Sequence, residues 1–222
     1  MNIIDLSLPI VDDHVRWKTV RDVNGNLAAG DLFQATTLKV PCHAFTHVDA
    51  QRHFFADAPT IEATPLAAVV GRAKVIDLTE TTPNTAIDAA MLARRLDGVA
   101  RDDRLILKTA WGTQRSWQTE AFWRDAPYLT RDAAELLRDR AISLVAYDFP
   151  QDYTIRLLLD GEVRPLEEHV THDVLLRAGV HMVEYLTNTD AITASEVFLS
   201  AAPLNIPDAD GAPARVYCIE GL

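Results

Sequence analysis

The sequence predicts an α/β fold, and three observations carry that reading. Short apolar runs rich in β-formers recur along the chain, patterns of helical period fall between them, and polar turns separate the two. In order, strands are expected at 2–6, 34–40, 73–78, 104–109, 142–147, 181–186, 196–201 and 215–219. Helices are expected at 87–96, 131–140 and 167–178. Thr130 is placed to cap the second, and Gly179 ends the third as a left-handed terminator. Residues 23–30, rich in Asn and Gly, and 203–213, with Pro, Asp and Gly, read as loops. The stretch 111–128, with three tryptophans, has no clean period and receives no assignment. No composition shift, repeat or low-complexity tract divides the chain, so residues 1–222 are expected to form one domain.

With 48% apolar and 24% charged residues, the chain can bury one full core. A formal charge of −11 leaves no basic block to meet phosphates, which excludes a nucleic-acid partner. No window approaches the roughly eighteen apolar residues of a membrane span, and the start lacks signal-peptide character. A cytoplasmic location follows by default. Cys42 and Cys218 show no zinc-finger spacing and fit a reducing compartment, with Cys42 expected to be a buried small residue. GxSxG, GxGxxG, Walker and HExxH patterns are all absent.

Chemistry concentrates in one run, His43-Ala-Phe-Thr-His47-Val-Asp49-Ala-Gln-Arg-His53, which holds three of the seven histidines. Imidazole and carboxylate are the usual ligands of zinc, manganese and iron(II). All four donors sit at odd positions, so a strand would present them on one side, while a helix would align only His43 with His47. A single histidine is commonly a satisfied core or surface residue, but several buried imidazoles without partners would each cost free energy. The remaining donors are expected in Glu167-Glu-His169-Val-Thr-His172 and at Glu184, a carboxylate inside the apolar run 180–186. Such a carboxylate needs a metal or a cation to satisfy it.

The run His43-x-x-Thr46-His47-x-Asp49-x-x-x-His53-Phe54 resembles the HxGTHxDxPxHF signature of the metal-dependent cyclase hydrolases, a family that includes bacterial kynurenine formamidases and isatin hydrolases. Asp5-Leu-Ser, Lys74-Val-Ile-Asp-Leu, Lys108-Thr-Ala-Trp111, Tyr147-Asp148 with Asp152, Val183-Glu184-Tyr and Asp210-Gly-Ala-Pro-Ala-Arg215 extend the likeness in the family's order. The resemblance implies a compact domain of the swivelling β/β/α type that assembles as a homodimer or homotetramer. It implies that His43, His47 and Asp49 bind one metal, and that Asp49 also reaches a second, held by His172 and bridged by Glu184. His172 fits this role better than His169. His53 would transfer protons, and Trp17 would correspond to a substrate-stacking tryptophan, although the Pro-Gly neighbours it has in the family are absent here. Phe45 stands where the signature has glycine, and Gln51 where it has proline. Glycine at that point indicates close backbone approach or an unusual φ, and a phenylalanine ring would reshape whatever lies over the metals.

The expected cofactor is a divalent metal, one or two per chain, zinc first and manganese second. The expected reaction is hydrolysis of an amide C–N bond in a small molecule, of the arylformamidase kind, with metal-activated hydroxide as nucleophile. His53 would relay the proton to the departing nitrogen. Alternatives are a cyclic amide or lactone substrate, or cyclisation or dehydration of a polyketide-type compound. Outside the enzymes stand a metal- or ligand-binding protein in which Phe45 blocks the substrate position, and purely structural histidines.

Overall fold

The structure is a computed structural model that describes residues 1–222. The runs that read as strands build most of one nine-stranded mixed sheet. In chain order the strands are β1 (Asn2–Asp5), β2 (Val20–Gly25), β3 (Ala35–Lys39), β4 (His47–Asp49), β5 (Val70–Asp77), β6 (Ala86–Ile87), β7 (Arg104–Lys108), β8 (Tyr128–Leu129), β9 (Leu144–Tyr147), β10 (His181–Glu184), β11 (Glu196–Ser200), β12 (Gly211–Pro213) and β13 (Tyr217–Glu220). The large sheet runs β1-β13-β11-β5-β7-β9-β10-β4-β12. Its centre, β5-β7-β9-β10, is parallel, and the strands on either flank are antiparallel.

The central strands read as unbroken apolar runs because both faces are buried. Leu105, Leu107, Val145 and Tyr147 face one core, which holds Leu92, Trp111, Trp123 and Leu137 from the helical layer. Ile106, Leu144 and Ala146 face the other, with Ile4, Leu6, Val48 and Leu199. The helical layer comprises α2 (Ala89–Ala93), α3 (Trp111–Gln114), α4 (Glu120–Arg124) and α5 (Arg131–Asp139), whereas the short α1 (Leu66–Val69) packs Val69 into the second core.

The structure differs from the sequence reading at several places. Residues 23–25 belong to β2, which pairs with β3 in a separate hairpin, so the expected loop begins later. Residues 211–213, expected in a loop, form β12 because they find β4 as a neighbour. The helix expected at 87–96 is shortened at both ends. Ile87 pairs with Leu129, and Asp88 then caps α2 by accepting from the Met91 amide at 2.8 Å. Thr130 stands at the N-cap of α5, but its hydroxyl donates to the Ile87 carbonyl rather than accepting from the helix. The helix expected at 167–178 breaks at His169 (φ −84°, ψ 72°) and resumes as a wide π-type turn, His172–Leu176. Gly179, at φ +83°, ends it in the left-handed conformation expected of it. The unassigned tryptophan stretch supplies α3, α4 and the start of β8. Cys42 is half-buried rather than buried. No helix is long and apolar enough to cross a membrane.

Candidate metal centre

Strand β4 lies between β10 and β12, and its register builds the centre. Glu184 stands opposite His47, and both Met182 and Gly211 stand opposite Asp49. His47 and Asp49 are two residues apart and Glu184 is cross-strand to His47, so all three side chains leave one face. Glu184 is the last residue of β10, and Gln151 and Asp152 lie just beyond the end of the adjacent parallel strand β9. The site thus opens at the carboxyl ends of parallel strands, where α/β sheets commonly hold ligands.

Only residues 47–49 of the histidine run are extended, so strand alternation alone does not gather it. Phe45 takes φ +57° before the strand, and a tight turn, Gln51–His53, follows it. These two bends fold His43 and His53 back until their rings stack at 3.6 Å. The unusual φ expected at the signature's glycine is present, carried here by a buried phenylalanine.

The six donors named from the sequence converge. His47 Nε2 is 3.2 Å from Asp49 Oδ1 and 3.5 Å from Glu184 Oε2. His172 Nε2 is 3.5 Å from Asp49 Oδ2 and 3.4 Å from Glu184 Oε1. His43 Nδ1 meets Asp49 Oδ1 at 2.8 Å. His53 lies beside this group, its ring 5.7 Å from that of His172. His169 turns instead to the Thr154 hydroxyl, at 3.1 Å, so His172 is the imidazole that faces the two carboxylates.

Outer contacts fix how these groups point. His47 Nδ1 donates to the Phe45 carbonyl at 2.8 Å, and His172 Nδ1 donates to Asp152 Oδ2 at 2.7 Å. Asp152 is itself held by the Thr171 amide at 2.7 Å. With Nδ1 committed, each Nε2 faces carboxylate oxygens, an arrangement that only a proton or a cation between them satisfies. Gln151 Nε2 donates to Glu184 Oε1. Gly211 leaves the room His43 needs, since a Cβ there would stand 2.6 Å from His43 Cε1.

The donor set fits a divalent metal. His47 Nε2 and Asp49 Oδ2 are buried with no aligned hydrogen-bond partner, and His43 Nε2 is likewise unbonded although Asp210 Oδ2 stands 3.1 Å away; such orphans are rare in a folded chain. Two combinations, His43-Asp49-His53 and His47-Asp49-Glu184, bring their ligand atoms within 4.8 Å of one another. A third, Asp152-His169-His172, meets the same distance, but Asp152 already accepts from His172 and Thr171. Without a metal, protons take over the balancing role. Burial alone would lower His43, yet the hydrogen bond and charge of Asp49 raise it to about 9. Burial would raise Asp49, but His172, His43 and His47 hold it well below the usual carboxylate range. His53 is lowered to about 4, chiefly by burial.

Beside the donors lies an aromatic wall, of which the sequence reading named only Trp17 and Phe45 as site residues. Trp17 and Phe45 meet at 4.9 Å, and both are buried. His14 is sandwiched between Trp17 at 4.6 Å and Trp117 at 5.3 Å. Trp123 and Tyr185 close the wall, and the Tyr185 ring stands 5.5 Å from that of His47. His14, Trp117 and Trp123 lie outside every motif, so only the fold brings them to Trp17, Phe45 and Tyr185. A separate cavity of about 660 Å³, lined by Leu8, Ile10, Trp117, Leu204 and Arg215 among others, contains none of the six donors. The chemistry lies with the donors.

Residues 4–151 match the model of the Cyclase family, described as "Putative cyclase". The chain belongs to this family. A kynurenine formamidase from Bacillus cereus is 27% identical over 226 residues, covering 96% of this chain and 94% of its own. A solved protein described as a potential metal-dependent hydrolase with cyclase activity is 27% identical, with a TM-score of 0.75 and coverage of 98% and 96%. An isatin hydrolase bound to the product analogue thioisatinate superposes with a TM-score of 0.83 over 97% of this chain and 91% of that one. At 18% identity that likeness concerns the fold. The α/β class and the curled mixed sheet are those of the family's solved members.

Proposed function

We propose that this chain is a metal-dependent hydrolase that cleaves a non-peptide amide C–N bond in a small molecule, as a kynurenine formamidase does. The observation that carries the proposal is the convergence of His43, His47, Asp49, His172 and Glu184 with unpartnered imidazole and carboxylate atoms turned toward one another. His43, His47 and Asp49 would hold one cation, with Asp49 also reaching a second held by His172 and Glu184. The imidazole-rich set favours zinc, and the two carboxylates also admit manganese. When bound, the cation supplies a water of lowered pKa and polarises the substrate carbonyl.

The chain's own residues then handle the proton and the substrate. His53, lowered to about 4, is neutral at working pH and can accept a proton. It takes that proton from the attacking water as the new C–O bond forms. It returns it to the nitrogen as the C–N bond breaks, leaving a carboxylic acid and a free amine. Stacking on His43 holds the His53 ring in place, and its side chain, 27% exposed, remains open to substrate. Trp17 and Phe45 belong to the apolar wall that meets an aryl group. A cytoplasmic homodimer or homotetramer belongs to the same reading.

Elemental analysis of the purified protein paired with an aryl-formamide assay tests the proposal. We expect His53→Ala to keep its metal while turnover falls by roughly a hundredfold or more. Metal loss in parallel with activity would make His53 a ligand instead. For Glu184→Gln we expect loss of one or both metals, and unchanged stoichiometry would remove Glu184 from the centre.

A further inference from the structure

We propose that Arg16 is an anion-recognition residue beside this centre, selecting aromatic substrates that carry a carboxylate on the ring; the inference rests on the hydrolase reading above. Arg16 lies on the segment between β1 and β2 and is half-buried. Its guanidinium covers the Trp123 ring at 4.4 Å, with Trp17 at 5.1 Å and Tyr185 at 5.6 Å. Its Nη1 donates to the Tyr185 hydroxyl at 3.2 Å. Tyr185 directly follows Glu184 and its ring stands 5.5 Å from that of His47, so one side chain touches both the guanidinium and the donor cluster.

Arg16 is also unpaired. Arg124, Arg164, Arg177 and Arg215 each face a carboxylate within 4.0 Å, and Arg16 faces none. Six other arginines also lack a carboxylate, but Arg94 and Arg101 are exposed, and Arg52, Arg104, Arg140 and Arg156 donate to backbone carbonyls, whereas the half-buried Arg16 guanidinium donates only to the Tyr185 hydroxyl. Cation–π contact with three rings holds the guanidinium in place without neutralising it. Its planar fork has five N–H donors, of which Tyr185 occupies one, and the remaining edge matches a carboxylate in two-point contact. Lysine, a point charge without that fork, would match it less well. Trp17, Trp123 and Tyr185 are buried and pack on one another, so a substrate carboxylate would meet the outer edge of the guanidinium, and the amide of such a substrate would extend toward His47 and Glu184.

The test compares two formamides on the metal-loaded protein: 2-formamidobenzoate, which carries the carboxylate, and formanilide, which lacks it. Arg16→Gln and Arg16→Lys keep a stem over Trp123, so packing is largely preserved. We expect the wild-type preference in kcat/KM for the carboxylate substrate to collapse by roughly tenfold or more in Arg16→Gln, chiefly through KM, with part retained in Arg16→Lys. An undiminished preference in Arg16→Gln, or none in the wild type, overturns the assignment. Tryptophan fluorescence, titrated with 2-aminobenzoate and with aniline, gives a readout independent of turnover. Should the wild type cleave neither formamide, the hydrolase reading fails and this titration alone decides. Selective loss of 2-aminobenzoate binding in Arg16→Gln supports the anion site, and equal binding to both proteins overturns it.

Discussion

Phe45 shows how a single residue balances strain against packing. A non-glycine residue in the left-handed region costs about 1–2 kcal/mol, and at φ +57° Phe45 carries that cost. Its ring is 1% exposed and contacts Trp17, His14 and Trp117, and truncating such a ring costs roughly 3–5 kcal/mol. Packing therefore wins. We expect Phe45→Gly, although it restores the signature residue and relieves the backbone, to lower stability by about 2 kcal/mol or more in denaturant unfolding. A variant at least as stable as the wild type would mean that the ring contributes little. His47 shares in this balance, because its Nδ1 donates to the Phe45 carbonyl and its orientation depends on that backbone.

At the scale of elements, Gln51 joins the two halves of the centre. It opens the turn after β4, and its side-chain amide donates to the carbonyls of Leu176 at 2.9 Å and Arg177 at 3.2 Å, at the end of the helical turn that begins with His172. Proline fits the first position of a turn, and the preceding Ala50 is already extended (φ −91°, ψ 154°), so the backbone accepts the signature's residue here. Losing two hydrogen bonds of about 1 kcal/mol each is partly offset by the stiffer unfolded chain that proline gives. Gln51→Pro should therefore fold, with amides of 172–177 exchanging faster while the central strands keep their protection. Unchanged protection in that turn would show that the tether does not hold it. The sequence made the central parallel strands legible because apolar runs buried on both faces are strong local signals. It also exposed the donors, whose residue types are rare and clustered. β12 and the π-type turn at His172 were not legible, because a three-residue strand exists only through its neighbour and a π-turn through tertiary packing. Arg16 and His14 likewise belong to no local pattern.

At the scale of the whole molecule, metal binding, protonation and folding are linked through His43. In the metal-free chain its pKa rises from the ordinary 6.5 to about 9, because the Asp49 carboxylate outweighs burial. A group raised in this way stabilises the fold fully below its unfolded value, and the contribution is lost as pH climbs through the folded one. The metal-free protein should thus lose stability between about pH 6.5 and 9 as Asp49 and Glu184 lose a cationic partner. A metal ligand must be a neutral imidazole, so binding displaces this proton and tightens as pH rises across the same window. A ligand that binds only the native state raises stability with its concentration relative to Kd. The gap in Tm between metal-loaded and chelator-treated protein should accordingly widen from pH 6.5 toward 9, and His43→Gln should flatten that slope. A gap that is constant with pH, or that widens on acidification, would show that the histidine proton and the metal do not compete for one place.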